Sequence, residues 1–201
     1  MTWKSTLKNK KLIAQQVAKL HIENLSESFL ASLGEKFLTE IYISVQNDEE
    51  SKLICEYHKD RIIGFVSAGI SMSRIYKGLF IRVPMVLLAI APSLLNPMKL
   101  VRIFNLIIYS LKNTDTNSFP SPELWTIAVD SRYRRKGISS KLYESVIKFF
   151  KDKRVISFKI LVSDNLKGAH MFYEKLGAKK NGKIELHGGS TSTIYIQKIR
   201  G

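Results

Sequence analysis

The sequence predicts a single domain of the mixed α/β (α+β) class, and three observations support this prediction. The chain has 201 residues, which is enough for one domain with its own core and short for two. Helix-like and strand-like hydrophobic patterns both occur along it. Their order is helices, strands, a helical insert, and then strand, helix, strand, helix and two strands. No internal repeat or low-complexity tract interrupts this order.

The first half of the chain begins with helical spacing and continues with strands. Apolar residues at helical intervals predict two helical pieces within Leu12–Val45, with a break near Asn24–Ser26. Two strands follow at Leu53–Tyr57 and Ile62–Ile70, on either side of a charged turn.

The second half carries six patterned segments followed or separated by turn residues. They are a strand at Leu124–Val129, a helix at Ile138–Lys151, a strand at Val155–Val162, a helix at Leu166–Leu176, and paired strands at Lys179–His187 and Thr191–Ile199. Gly177 is placed to end the second of these helices.

Residues 71–121 form a basic and apolar insert between two predicted strands. Pro97 is well placed to begin a helix that runs to about Lys112, with its basic residues on one stripe. The apolar run Met85–Ala91 is far shorter than the roughly 20 residues that a membrane-spanning helix needs. The insert can cover a substrate pocket, form a dimer interface or lie on an anionic membrane, and its apolar character favours burial.

The composition is that of an ordinary globular protein except for its charge. The net charge of +15 indicates a polyanionic partner, such as a phosphorylated cofactor, nucleic acid or an anionic membrane, or else only a solubilising surface. Nucleic acid is disfavoured because the basic residues are spread along the chain without a recognition motif. Cys55 is the single cysteine, which excludes an internal disulfide. The N-terminus lacks the apolar block of a signal peptide, so we expect a cytoplasmic protein, with peripheral membrane contact left open.

The segment Arg134–Ser139, called the basic turn below, lies between a predicted strand and a predicted helix. The first N–H groups of a helix lack intrahelical partners and lie at the positive end of its dipole. Gly137 allows a phosphate to approach the backbone closely, and the Ser139 hydroxyl can donate a hydrogen bond to it. The turn therefore predicts a phosphate site, the alternative being a plain helix start with surface arginines. Neither a P-loop nor a dinucleotide-binding glycine motif is present.

Two motifs in the right order resemble the GCN5-related N-acetyltransferases (GNAT). Arg134, Gly137 and Ser139 have the spacing of that family's pyrophosphate loop, although Ser139 stands where the family usually has Gly or Ala. Ala169–Gly177 resembles the family's helix motif that contains Phe-Tyr-Glu-Lys-Leu-Gly. Asn165 is the equivalent of a family asparagine, but it lies four residues before Ala169 rather than three. The resemblance implies a central, mostly antiparallel sheet that splays at a bulged strand.

The resemblance implies that acetyl-CoA is the co-substrate and that no metal takes part. The strand at Ile127–Val129 would splay, pair with pantetheine and offer an N–H to the thioester oxygen. The residues implied in binding CoA are Ile127, Ala128, Val129, Arg134, Arg135, Lys136, Gly137, Ile138, Ser139, Ser140, Asn165 and Phe172.

Tyr173 and Glu123 are the candidate catalytic residues. By the family match, Tyr173 would protonate the leaving thiolate, whereas helix spacing alone would make it a core tyrosine. Glu123 lies where the histone acetyltransferase branch has its base, and its alternative is a solvated glutamate at a strand end. His21 and Glu27 lie on the predicted acceptor side and are more often structural.

The acceptor amine is left open by the sequence. Weak similarity around Leu20–His21, Ser28–Leu30 and Leu33–Leu38, together with the insert, resembles a subgroup found with surface-polysaccharide genes, which suggests an amino sugar, nucleotide- or lipid-linked. The alternatives are a protein N-terminus or lysine, a polyamine (disfavoured by the positive charge), or a CoA-binding regulatory module without catalysis.

Overall fold

The computed structural model describes residues 3–80, 119–186 and 190–199. In the described part of the chain the helices are α1 (Trp3–Asn24), α2 (Phe29–Ser32), α3 (Glu35–Asn47), α4 (Met72–Phe80), α5 (Ile138–Asp152) and α6 (Lys167–Lys175), with a 3₁₀ turn at Ser131–Tyr133. The strands are β1 (Ser51–His58), β2 (Arg61–Gly69), β3 (Glu123–Val129), β4 (Ser157–Ser163), β5 (Lys179–Leu186) and β6 (Ser190–Lys198).

The strands form one six-stranded sheet in the order β1-β2-β3-β4-β6-β5. Every neighbouring pair is antiparallel except β3 and β4, which are parallel. The predicted α/β class is confirmed, and every predicted strand lies within about two residues of its observed bounds, the uncertainty that end fraying gives any assignment.

The helices before β1 differ from the prediction in their extent. Helix α1 begins at Trp3, nine residues before the predicted start, because the polar N-terminal segment continues the helix that the apolar face of Ala14, Val17 and Ala18 anchors in the core. The break is at the predicted place. There the Ser28 hydroxyl caps α2 by accepting a hydrogen bond from the Ala31 N–H at 3.1 Å.

Strands β3 and β4 pair over two residues and then separate. The pairs are Glu123 with Lys159 and Leu124 with Ile160. Beyond Leu124 the remaining length of β3 has no partner strand on that side among the described residues, and we call this opening the β3–β4 cleft. Its closed end lies at Glu123 and its open end at Val129.

A bulge in β3 lies close to the closed end of the cleft. The register with β2 shifts so that Leu124 faces Ala68 and Thr126 faces Ser67, which leaves Trp125 as the extra residue. The predicted splay is confirmed over Ile127–Val129, but the bulge itself lies earlier, at Trp125. The Trp125 ring covers Gly69, where a Cβ would overlap it.

Helices cover both faces of the sheet and fix the orientation of β3. On one face α5 and α6 pack against the sheet, with the Phe150 and Phe158 rings 4.8 Å apart. On the other face α1 and α3 pack against β2, where Tyr42 and Phe65 meet edge to face at 5.4 Å. Burial on both faces explains the almost continuous apolar run of β2.

The insert begins with a helix that the sequence did not predict. In α4, Ile75 and Leu79 are buried against α3, and this packing overrides the weak helix propensity of Gly78. The predicted helix from Pro97 to Lys112 lies outside the described residues. Within the described residues, no helix combines the length and the apolar character that crossing a membrane requires.

Candidate active site

The open edge of β3 directs backbone groups at the cleft, and within the described residues the Val129 carbonyl among them accepts a hydrogen bond from Arg134 Nε at 3.2 Å. The Asp130 N–H donates to the Ile63 carbonyl of β2 at 2.9 Å, so alternate residues of β3 direct their backbone groups towards β2 and away from it. Ala128 therefore faces β2, whereas Ile127 and Val129 direct their N–H and C=O groups at the cleft. The arrangement suits an extended, amide-containing ligand that adds to the strand edge.

The basic turn presents a row of free donors where the cleft opens. Gly137 has φ +77°, and Arg135 also has a positive φ, of 61°. Gly137 is the N-cap of α5 and provides no side-chain cap, and the first helical bond runs from the Lys141 N–H to the Gly137 carbonyl. The N–H groups of Ile138, Ser139 and Ser140 are therefore left for a ligand, at the positive end of the helix dipole.

An open cavity of about 240 Å³ lies against this turn. It is lined by Val129, Tyr133, Arg134, Arg135, Gly137, Ile138, Ser139, Ser140 and Phe172. All of these except Tyr133 were predicted to contact CoA. Of the other predicted residues, Lys136 packs its ammonium over the Tyr133 ring at 5.1 Å. Ile127 and Ala128 precede Val129 on β3, towards the closed end of the cleft.

A single buried carboxylate shapes the loop before the basic turn. Asp130, 3% exposed, accepts from Arg132 Nη2 at 2.6 Å and from the Arg132 N–H at 3.1 Å, and Arg61 lies 3.4 Å away. The hydrogen bond from the Arg132 side chain is the main reason why the pKa of Asp130 is lowered to about 2. Asp130 thus pairs with Arg132 and Arg61, whereas the three cations of the basic turn itself, Arg134, Arg135 and Lys136, have no carboxylate partner among the described residues.

Tyr173 lies on α6, buried among aromatic side chains. It is 4% exposed, and its ring lies 5.9 Å from that of Tyr143 and 6.2 Å from that of Tyr195. No described residue hydrogen-bonds its hydroxyl. Burial raises the pKa of this phenol well above its ordinary value, so it stays protonated at neutral pH and can donate a proton.

Glu123 lies at the closed end of the cleft, at the first residue of β3. Its carboxylate is 3.7 Å from the Lys159 ammonium, and its side chain is 20% exposed. Burial raises the pKa of Glu123 to about 7 although the lysine opposes the shift. A carboxyl group that is half ionised at neutral pH suits a general base.

Residues at the junction of α1 and α2 hydrogen-bond to two segments, one that follows β3 and one that follows β4. Arg134 Nη2 donates to Asn24 at 3.0 Å, and the same guanidinium donates through Nε to the Val129 carbonyl at 3.2 Å. After β4, Asn165 donates to the Glu27 carboxylate at 3.2 Å. Two residues predicted to contact CoA, Arg134 and Asn165, therefore hydrogen-bond to residues at the junction of α1 and α2.

His21 is a structural residue. It is 2% exposed, its Nδ1 lies 2.6 Å from the Tyr42 hydroxyl and its Nε2 lies 3.0 Å from the Ser28 hydroxyl. Burial lowers the pKa of His21 to about 4. Both ring nitrogens are occupied, which supports the structural alternative for His21, whereas Glu27 is exposed and its carboxylate accepts a hydrogen bond from Asn165.

The sequence did not identify three residues that contribute to this site. They are Asn24, Asp130 and Tyr133. An aspartate directly after a strand and before a basic run is a signal for a capped turn, so Asp130 had a signal of its own. The contact between Asn24 and Arg134 spans 110 positions, and no local pattern predicts it.

Comparison with known proteins gives one family match. Residues 102–178 match the acetyltransferase (GNAT) family model, and this segment includes β3, the basic turn, α5, β4 and α6. No curated protein sequence matches the chain.

Several solved structures share the fold at low identity. An aminoglycoside 6′-N-acetyltransferase complexed with coenzyme A is 15% identical, with 96% of this chain and 94% of that chain covered and a TM-score of 0.61. An N-acetyltransferase, PaiA, from Thermoplasma acidophilum in complex with coenzyme A is 12% identical, with 94% of each chain covered and a TM-score of 0.55. The ribosomal-protein-S18-alanine N-acetyltransferase from Escherichia coli is 14% identical, with 84% and 78% covered and a TM-score of 0.51.

These likenesses concern the fold, while the family match covers the segment that carries the basic turn and the Tyr173 helix. The two findings agree with the motifs read from the sequence, but they do not support the surface-polysaccharide subgroup in particular. Residues 102–178 therefore resemble the GNAT family, and the chain shares its fold with these solved N-acetyltransferases.

Proposed function

We propose that this chain is an acetyl-CoA-dependent N-acetyltransferase of the GNAT family. Its acceptor is the primary amine of an amino sugar that carries phosphate, such as a nucleotide- or lipid-linked sugar. The observation that carries the catalytic part is the β3–β4 cleft. It has the basic turn at its open end and Glu123, the carboxyl group with a pKa of about 7, at its closed end.

In the proposed mechanism the CoA diphosphate binds the free N–H groups of Ile138, Ser139 and Ser140. Its pantetheine then extends along the unpaired edge of β3. The N–H of Ile127 or Val129 donates to the thioester oxygen and stabilises the oxyanion that forms on attack. Fixed N–H groups are effective here because they require no reorganisation during the reaction.

Glu123 and Tyr173 would handle the two protons of the reaction. Glu123, directly or through a water, removes the proton from the amine so that the nitrogen lone pair can attack the thioester carbon. When the tetrahedral intermediate collapses, the C–S bond breaks and the Tyr173 hydroxyl protonates the departing CoA thiolate. The phenol carries its proton at neutral pH because its ordinary pKa is about 10, and burial, which disfavours the charged form, raises that pKa further.

Charge and topology support the choice of acceptor. A net charge of +15 favours a phosphorylated acceptor over a polycation. The insert leaves the sheet at Gly69 and returns at Glu123, and these two residues are paired in the sheet. We therefore propose that the 71–121 insert contributes to the acceptor pocket. One solved structure of similar fold is an aminoglycoside 6′-N-acetyltransferase, and aminoglycosides are amine-bearing sugars.

The test is a thiol-release assay with acetyl-CoA and a panel of amino sugars, nucleotide-linked amino sugars, peptides and polyamines. We expect turnover with a phosphorylated amino sugar. Turnover with peptides alone would identify a protein acetyltransferase instead, and CoA binding without turnover on any amine would indicate a regulatory module.

Two variants test the catalytic residues against a matched control. Tyr173→Phe and Glu123→Gln should each lower kcat about 100-fold or more, the usual contribution of general acid–base catalysis, with little change in CoA affinity. The control is Tyr143→Phe, since Tyr143 is a buried tyrosine on the same face whose hydroxyl donates to Gln197 at 3.0 Å. Undiminished turnover in both test variants would refute the mechanism.

A further inference from the structure

Lys159 and Glu123 form a pair at the closed end of the cleft, where β3 and β4 still share a ladder. The two residues are register partners, and their charged groups are 3.7 Å apart. Their side chains are 23% and 20% exposed, so both charges are largely shielded from bulk water. Their neighbours Leu124 and Ile160 pack in the core on the opposite face, beneath α5 and α6. The pair therefore points away from that core.

We propose that Lys159 is a positioning residue for acetyl transfer, whose ammonium holds the Glu123 carboxylate in its charged form and in place to accept the amine proton. This inference rests on the proposed function, because it gives Lys159 a role only if Glu123 is the base.

The balance of two opposing effects supports this role. Burial disfavours the charged carboxylate and raises the pKa of Glu123, while the nearby ammonium lowers it, with a net result of about 7. Across the sheet on the β2 side the residue paired with Glu123 is Gly69, which carries no charge. Among the described residues, Lys159 is the charged group in contact with Glu123. Without the Lys159 ammonium, the rise that burial causes in the pKa of Glu123 would no longer be opposed.

The pair geometry also fixes the direction of the carboxylate. Because the lysine approaches Oε2 of Glu123, the other oxygen, Oε1, stays available for the amine or a bridging water. An ion pair at a strand junction has little freedom, since both backbones are held in the ladder. Lys159 therefore acts on the orientation of the base as well as on its charge.

The experiment follows the Glu123 carboxyl group directly, without an acceptor. Protein labelled with ¹³C at the glutamate carboxyl carbons is titrated by NMR, and the Glu123 resonance is assigned as the one missing from Glu123→Gln. The same titration is then recorded for Lys159→Met, for Lys159→Gln as a second neutral variant, and for Lys159→Arg, which keeps the charge. Lys141→Met is the control, because it removes one positive charge from an ion pair with Glu56 at the other end of the sheet.

We expect the Glu123 midpoint to rise by about one pH unit in both neutral variants, the lower end of what an adjacent opposite charge contributes. It should stay near its original value in Lys159→Arg and in Lys141→Met. The acid limb of kcat/KM should move by the same amount. At pH 7 the ionised fraction would then fall from about half to about one tenth, giving a roughly fivefold loss of kcat/KM that alkaline pH restores.

An unmoved midpoint in the neutral Lys159 variants would overturn this inference, and so would an equal shift in the Lys141→Met control. Failure of the proposed function gives a different result. If Glu123→Gln turns over as fast as the wild type, Glu123 is not the base, whatever the NMR titration shows.

Discussion

Gly137 provides the sharpest test of the basic turn, because Gly177 offers a control with nearly the same geometry. Gly137 has φ +77° and Gly177 has φ +86°, and a Cβ built at either position has no heavy atom within 4 Å. Replacement by alanine therefore causes no clash at either site. The cost to stability comes from the left-handed backbone alone, about 1–2 kcal/mol for a residue with a Cβ.

The two alanine variants should lose similar stability but differ in CoA binding. For a domain of this size we expect each melting temperature to fall by about 2–8 °C. Only Gly137→Ala places a methyl group where the diphosphate should meet the backbone N–H groups. The loss of one hydrogen bond to a charged group, about 1.5–3 kcal/mol, predicts roughly 10- to 100-fold weaker CoA binding.

Isothermal titration calorimetry with CoA, alongside thermal unfolding, measures both effects. The reasoning would be refuted if Gly137→Ala bound CoA as tightly as Gly177→Ala at comparable stability. Equal weakening in both variants would also count against it, because Gly177 follows α6 and lies outside the basic turn.

Two further predictions concern the pH dependence of stability and the shape of the loop. The pKa of His21 is lowered to about 4 in the folded protein, so stability should fall as the pH drops from about 6.5 towards 4, by up to roughly 3 kcal/mol. Urea unfolding at several pH values should show this slope flattened in His21→Gln, and an equal slope in the variant would exclude His21 as its source. Asp130→Asn should lower the unfolding free energy at neutral pH by on the order of 1 kcal/mol, since its exposed arginine partners limit the effect. Because the folded pKa of Asp130 is depressed, the difference from wild type should vanish as the pH falls from about 4 towards 2, and a difference that persists there would contradict this assignment.

Most secondary structure could be predicted because it depends on local patterns. The strand before the basic turn and the helix after it were found within a residue, since apolar periodicity and Gly137 mark the boundary. Helix α4 was missed because Gly78 weakens its local signal, and its stability comes from burial of Ile75 and Leu79 against α3. The bulge was expected further along β3 than Trp125, since bulge position depends on the register with β2.

The sequence by itself determined the basic turn between a strand and a helix, and the family resemblance, because consecutive residues carry both. Only the tertiary structure decided how distant residues meet. It placed Lys159 beside Glu123, buried His21 between Tyr42 and Ser28, and joined Asn24 to Arg134. The physical reason is that the charge state and contacts of a side chain depend on burial and on neighbours brought in by the sheet order. Composition and spacing contain no record of those neighbours.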